Sequence, residues 1–131
     1  MLDSLPPFVA PLFVFLHGAG HAGAIGALAW IAARPGGPRG DWTAAHSWLP
    51  AIPPSAATAI AVATYTACFI GFVLVALGLA GVEPLAYAWR PLAVGATVVS
   101  LAGIALFLGN WPAFNTVAAI VANIVIVALA L

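Results

Sequence analysis

Two histidines stand four residues apart in an otherwise apolar stretch near the start of the chain. His17 and His21 lie within FLHGAGHAGAIGALAW, residues 15–30. At this spacing two side chains share one face of an α-helix, about 6 Å apart along its axis. Because imidazole nitrogens bind metals, transfer protons and form hydrogen bonds, this pair is the first candidate for a functional site.

A metal site is one chemistry that the spacing allows. Two histidines at i and i+4 hold zinc in the H-E-x-x-H motif, but that motif also carries a glutamate as general base. Here Gly-Ala-Gly separates His17 from His21, which argues against a zinc hydrolase. The remaining histidine, His46, lies in the first loop, and the loop end of the predicted helix is about 12 residues, or roughly 18 Å, from His21. A loop that does not fold back into the membrane cannot cover that distance, so a third ligand would have to come from a re-entrant loop or from another subunit.

Haem is the other metal-based interpretation. Two histidines on one helix cannot clamp a single haem from both sides. A single axial histidine, or a bis-histidine haem shared across a dimer interface, stays open. A proton relay and a pocket for a small ligand with a polar head group are further alternatives.

Interhelical hydrogen bonding is the structural alternative for both rings. Thr64 and Tyr65 in the second apolar span, and Asn115 and Asn123 near and within the fourth, are the candidate partners. Buried amides and hydroxyls need hydrogen-bond partners of their own. We therefore expect Tyr65, Asn115 and Asn123 to converge with the histidines on a small polar pocket near the middle of the membrane.

The composition assigns the chain to the membrane. Of its 131 residues, 65% are hydrophobic and 5% are charged, whereas a soluble domain carries about a quarter charged residues. The formal net charge is zero, so no basic patch indicates nucleic-acid binding. Cys68 is the single cysteine and predicts neither an internal disulfide nor a cysteine zinc cluster. We expect an integral membrane protein whose main partner is the lipid bilayer.

Prolines and glycines divide the sequence into four apolar spans. Each has about 18–25 residues, enough to cross a hydrocarbon core of roughly 30 Å as a helix. Continuous apolar runs favour helices over the alternating strands of a barrel. The sequence predicts an all-α, antiparallel four-helix bundle that forms one transmembrane domain over residues 1–131. The expected spans are residues 10–33, 56–80, 91–108 and 112–131.

The orientation follows from the arginines. Four spans place both termini on one side of the cell membrane. The first loop carries Arg34 and Arg39, and the opposite side carries Arg90. The positive-inside rule therefore predicts a cytoplasmic first loop, with both termini on the opposite side.

Small residues on the first span predict close helix packing. Gly18, Ala22 and Gly26 recur every four residues, and small residues let helices approach closely in lipid. This makes the first helix the expected centre of the bundle. A two-fold axis at the same face would bring four histidines together, so a homo-oligomer or a larger membrane complex is a further hypothesis.

Two short motifs carry a family resemblance. The first is L-H-G-x-x-H, formed by Leu16, His17, Gly18 and His21, with the following glycine displaced to Gly23. With a second motif before the last span, the chain resembles a family of uncharacterised small bacterial and archaeal four-helix membrane proteins. The resemblance implies four helices and marks the histidine pair, and it implies no activity.

The second motif precedes the last span. Three of its residues match the family pattern: Trp111, Phe114 and Thr116. Asn115 stands where the family has a glycine, and Pro112 and Ala113 replace its acidic and lysine residues.

The expected function is a small polytopic membrane protein without catalysis, such as an accessory subunit, with a polar intramembrane pocket around His17 and His21. The alternative is a metal- or haem-binding redox or transport component that uses both histidines as ligands. A proton-coupled carrier is disfavoured because no predicted span contains Asp or Glu.

Overall fold

Four α-helices follow one another in the computed structural model, which describes residues 6–33 and 52–131. They are α1 (Val9–Ala33), α2 (Pro54–Leu79), α3 (Leu85–Leu106) and α4 (Ala113–Ala130). Within the two described ranges there is no strand, and each helix is long and apolar enough to cross a membrane. The predicted all-α, four-span fold is confirmed. The sidedness and the single-domain assignment stay predictions, and the first loop lies outside the described residues.

The helices form an antiparallel ring that is weakly closed on one side. Consecutive helices pack closely against each other, whereas the backbones of α1 and α4 come close only sparsely, and the diagonal helices α1 and α3 meet through side chains such as His21 and Ser100. We call the weakly closed side, between α1 and α4, the α1–α4 seam.

At one end of the bundle the Arg90 guanidinium on α3 donates to the carbonyl oxygen of Ala130 on α4, at 3.0 Å.

Glycines set the close packing of α2 against α3. A methyl group placed on Gly71 would lie 2.9 Å from the Cβ of Ala96, and one on Gly78 would lie 2.7 Å from the carbonyl oxygen of Leu85. Neither distance leaves room for a side chain. Because lipid gives no hydrophobic drive for helix association, such close contact is a main source of bundle stability.

The predicted packing stripe on α1 needs a correction within the chain. Gly18 is buried, and a methyl group on it would lie 3.0 Å from the Cβ of Phe72 on α2. Ala22 is half-buried. Gly26 is exposed, with no described atom within 4 Å of an added methyl group. Among these three residues, only Gly18 lies close enough to α2 that a side chain would not fit.

Two apolar clusters fill the two ends of the bundle. The first, near the start of α1 and the end of α4, contains Val14, Cys68, Phe72, Val75, Ala76, Ala93, Ala96, Ile126 and Ala130. The second, toward the turn between α3 and α4, contains Leu28, Ala57, Ala61, Tyr65 and Phe107. The polar side chains of the candidate site lie between these clusters.

Helix boundaries differ from the predicted spans mainly at α3. The helix begins at Leu85, so Pro91 lies inside it and does not open it. Proline removes one intrahelical hydrogen bond, to the carbonyl four residues earlier. The preceding Leu-Ala-Tyr-Ala run consists largely of good helix formers and extends the helix by more than one turn. Gly81 follows α2 with a φ of 85°, which confirms the predicted stop there.

The start of α2 is also corrected. Its N-cap position is occupied by Pro53, and no side chain caps the helix. Ser55, which directly precedes the predicted span 56–80, lies within the helix. Proline is favoured in the first helical turn because its missing N–H has no intrahelical acceptor there. Pro54 therefore starts the helix one residue before the serine.

Candidate functional site

The two histidine rings lie side by side on the inner side of α1. Their centroids are 5.2 Å apart and the ring planes are inclined by 75°. The ring of Phe72 on α2 lies 4.6 Å from His17 and 5.8 Å from His21, measured between centroids. The close approach of α2 at Gly18 places this phenylalanine beneath both imidazoles, so packing limits how far the rings can turn.

Hydrogen bonds join both histidines through two other helices. The Nε2 of His17 donates to the amide Oδ1 of Asn123 on α4, at 3.1 Å. The Nδ2 of Asn123 donates to the hydroxyl Oγ of Ser100 on α3, at 2.9 Å. Ser100 Oγ lies 3.4 Å from the Nε2 of His21. We call these four side chains, His17, Asn123, Ser100 and His21, the polar network.

The two middle members of the polar network are fully inside the protein. Asn123 is 0% exposed and Ser100 is 1% exposed. A buried amide that lost its partners would cost the free energy of its desolvation. The bonds of Asn123 to His17 and Ser100 therefore hold α1, α3 and α4 in a defined rotation about their axes.

Asn123 was among the residues predicted from the sequence, and Ser100 was not. The available signal was weak: Thr97 and Ser100 are the polar residues at the centre of an otherwise apolar third span. Both prove to be buried. In lipid, two polar residues three positions apart on one helix face point toward the protein interior more readily than toward the lipid. This spacing is the signal that predicts a buried Ser100.

Tyr65 and Asn115 lie near the histidines but do not hydrogen-bond to them. The hydroxyl of Tyr65 accepts a hydrogen bond from the Nε1 of Trp111, at 2.8 Å. Its ring centroid lies 6.1 Å from that of His21. Asn115 is exposed on α4 and lines the same cavity as the rings. Thr64, the other expected partner, packs its methyl group toward Gly103.

A cavity of about 550 Å³ opens beside the histidines at the α1–α4 seam. Both histidine rings line it, and its far end is formed by Tyr65, Phe107 and Trp111. The walls on the two helices of the seam are small residues: Gly20, Gly23 and Ala24 on α1, and Ala118, Ala119 and Ala122 on α4. Larger side chains at these positions would close the seam, so the cavity results from their small size.

The cavity combines a few polar groups with an uncharged wall. Among the described residues that line it, none is Asp, Glu, Lys or Arg. The polar groups are the two imidazoles and the side chains of Tyr65, Trp111, Asn115 and Thr116. Such a wall can offer hydrogen bonds but no countercharge.

Within the described ranges the chain supplies no third ligand for a metal ion bound at the histidine pair. No group of three His, Cys, Asp or Glu side chains occurs there that could hold a metal ion. The Nε2 atoms of His17 and His21 are both used within the polar network. His46 lies outside the described residues. Metal or haem binding by the pair stays a prediction.

Comparisons with protein families, with characterised proteins and with solved structures give no match for this chain. The likeness of the two short motifs to a four-helix family stays a prediction. The geometry describes two imidazoles, fixed by buried partners, in the wall of an uncharged intramembrane cavity.

Proposed function

We propose that this multi-pass membrane protein binds an uncharged lipophilic molecule within the bilayer, as a ligand-binding or accessory subunit. The observation that carries the proposal is the cavity of about 550 Å³ with both His17 and His21 in its wall. In this proposal the cavity holds the body of the molecule, and the imidazoles bind its polar head group.

The size and lining of the cavity fit a small organic ligand. Binding pockets usually have about 300–1,000 Å³ and combine apolar walls with a few polar groups. Here aromatic side chains, among them Phe13, Phe107 and Trp111, supply apolar contact area. The histidines provide hydrogen-bonding groups in the wall, which would orient a bound molecule.

The uncharged wall favours an uncharged ligand. An ion moved from water into an apolar site without a partner loses its hydration without compensation. No described residue of the cavity wall carries a full charge of Asp, Glu, Lys or Arg. A neutral molecule that partitions into lipid avoids this penalty.

The position of the cavity favours entry from the bilayer. It lies at the α1–α4 seam, where the two helices make few contacts. Phe13 and Leu16 line the cavity and are also exposed on the outer face of the bundle. A molecule dissolved in the lipid would therefore reach the cavity past these side chains without crossing the polar headgroup region.

The polar network supports a binding role more than a reaction. The hydroxyl of Ser100 lies next to His21, the kind of pair that could provide a nucleophile and its base. Ser100, however, is 1% exposed and accepts a hydrogen bond from Asn123. Its place is behind the ring, where it positions His21 and does not meet a ligand.

Photolabelling in lipid nanodiscs tests this proposal. The probe is a long-chain alcohol that carries an alkyl diazirine, and the labelled residues are identified by mass spectrometry. We expect saturable labelling of α1 and α4 at cavity residues such as Phe13 and Ala122. An excess of the same alcohol without the diazirine should compete for this labelling.

Two glycines on α1 provide a matched pair of variants. Gly20 and Gly26 are both exposed, and an added methyl group meets no described atom within 4 Å at either position. Gly20 lines the cavity and Gly26 does not. Gly20→Leu should abolish saturable labelling, and Gly26→Leu should preserve it. Labelling that cannot be saturated, or that survives Gly20→Leu, would overturn the proposal.

A further inference from the structure

The polar network leaves one nitrogen of each histidine for a ligand. Each ring uses its Nε2 within the network, His17 with Asn123 and His21 with Ser100. Neither Nδ1 atom forms a hydrogen bond with a described residue. Because both rings line the cavity, a bound head group is the natural partner for these two atoms.

The direction of the hydrogen bonds assigns a role to each Nδ1. A neutral imidazole has one donor and one acceptor nitrogen. The Oδ1 of Asn123 can only accept, so the hydrogen of His17 is on Nε2 and its Nδ1 is an acceptor. Ser100 accepts from Asn123, which leaves its hydroxyl hydrogen for the Nε2 of His21. The hydrogen of His21 is then on Nδ1, which is a donor.

The complementarity of the two rings does not depend on the orientation of the Asn123 amide. If the Asn123 amide is rotated by 180°, its Nδ2 donates to the Nε2 of His17, and the hydroxyl of Ser100 donates to its Oδ1. His21 then donates from Nε2 to Ser100. The roles of the two Nδ1 atoms are exchanged, but one still donates and the other still accepts. Asn123 and Ser100 thus link the tautomers of the two histidines.

The closeness of the two rings favours a single head-group oxygen as their shared partner. The ring centroids of His17 and His21 are 5.2 Å apart, and two hydrogen bonds of about 2.9 Å to one oxygen together span a comparable distance. A hydroxyl oxygen both donates and accepts, whereas an ether or ketone oxygen only accepts.

Resting on the proposed function, we propose that the cavity selects an uncharged lipophilic alcohol or phenol. Its hydroxyl group donates to the histidine with the free acceptor and accepts from the other. An ether or a ketone of the same shape would satisfy one ring and leave the acceptor of the second ring without a partner. Sites built to bind a hydroxyl discriminate against analogues that lack it for this reason.

A pair of probes tests the selection. The photoreactive long-chain alcohol is compared with its methyl ether, which has the same chain and diazirine. We expect the ether to need a concentration about three- to tenfold higher than the alcohol for half-saturation of labelling. This factor corresponds to the loss of one hydrogen bond. In the double variant His17→Phe, His21→Phe this ratio should fall to about one, while the ether still labels the cavity and thereby reports an intact fold.

The outcomes separate this inference from the proposed function. Equal half-saturation of alcohol and ether in the unaltered protein, with labelling still lost in Gly20→Leu, would overturn the hydroxyl selection and leave ligand binding intact. A full preference for the alcohol in the double variant His17→Phe, His21→Phe would overturn it as well. If neither probe labels the cavity saturably, the proposed function fails together with the inference.

A measurement on the unaltered protein tests the linked tautomers directly. Nitrogen-15 chemical shifts of labelled histidine distinguish a hydrogen on Nδ1 from one on Nε2. We expect opposite tautomers for His17 and His21 in lipid at neutral pH. The same tautomer in both rings would overturn the proposal even if a variant failed to fold.

Discussion

Glycines serve opposite purposes at the α2–α3 interface and at the α1–α4 seam. At the first, methyl groups placed on Gly78 and Gly103 would lie 2.7 Å and 2.8 Å from atoms of the neighbouring helix. At the second, Gly20 and Gly23 have no described atom within 4 Å of such a methyl group. The same residue type permits close packing in one place and leaves a cavity in the other.

The difference between the α2–α3 interface and the α1–α4 seam indicates where this bundle is tightly packed and where it has room for a bound molecule. Close packing is a main stabilising interaction between helices in lipid, and the contact of α2 with α3 has it. The α1–α4 seam lacks it along the cavity, and the polar network supplies the bond from α1 to α4 instead. This seam is the place where the proposed ligand would bind.

The sharpest test of this comparison is Gly78→Ala beside Gly20→Ala. Gly78→Ala should destabilise the protein by about 2–3 kcal/mol, because the new methyl group meets the carbonyl oxygen of Leu85. Gly20→Ala should stabilise it by about 0.5–1 kcal/mol, since alanine loses less conformational entropy in a helix. Unfolding in mixed micelles, followed by circular dichroism, measures both. Equal effects at the two positions would refute the contrast between interface and seam.

A second test removes the bond that replaces packing at the seam. Asn123→Leu should destabilise the protein by about 1–2 kcal/mol, because His17 and Ser100 each lose a hydrogen-bond partner. Asn115→Leu on the same helix is the control, since Asn115 is exposed. It should change stability by less than about 0.5 kcal/mol. A similar cost for both variants would mean that the network does not stabilise the seam.

The smallest expected effect concerns the far end of the cavity. Tyr65→Phe keeps the ring but removes the acceptor for the Nε1 of Trp111, so we expect a loss of about 0.5–1 kcal/mol. The tryptophan emission spectrum should shift as well. Tyr87→Phe is the matched control, because Tyr87 is 80% exposed. An unchanged spectrum and stability in Tyr65→Phe would show that this hydrogen bond does not close the cavity.

Much of the architecture was predictable because it depends on local properties. Apolar spans of sufficient length predict membrane helices, and Gly81 marks the end of α2 as expected. The predicted start of α3 at Pro91 was wrong because the helix formers before this proline extend the helix to Leu85. In that segment one lost hydrogen bond at Pro91 costs less than ending the helix.

The site was predictable only in part. The spacing of His17 and His21 predicts their shared helix face, and the amide of Asn123 was a candidate partner. Ser100 was missed because its role depends on how α3 is rotated against α1 and α4. A methyl group added to Gly26 meets no described atom within 4 Å in the chain, so the role of Gly26 as a packing residue stays a prediction.

The sequence by itself determined the membrane class, the four helices and the common face of the two histidines. These follow from composition, span length and the helical repeat, which are properties of neighbouring residues. The tertiary structure alone decided which helix faces meet, how the polar network closes and where the cavity lies. The physical reason is that α1 and α2 are almost equally apolar on all sides. On these two helices sidedness is too weak to tell an inner face from a lipid face, so contacts between residues far apart in the chain determine how they are rotated.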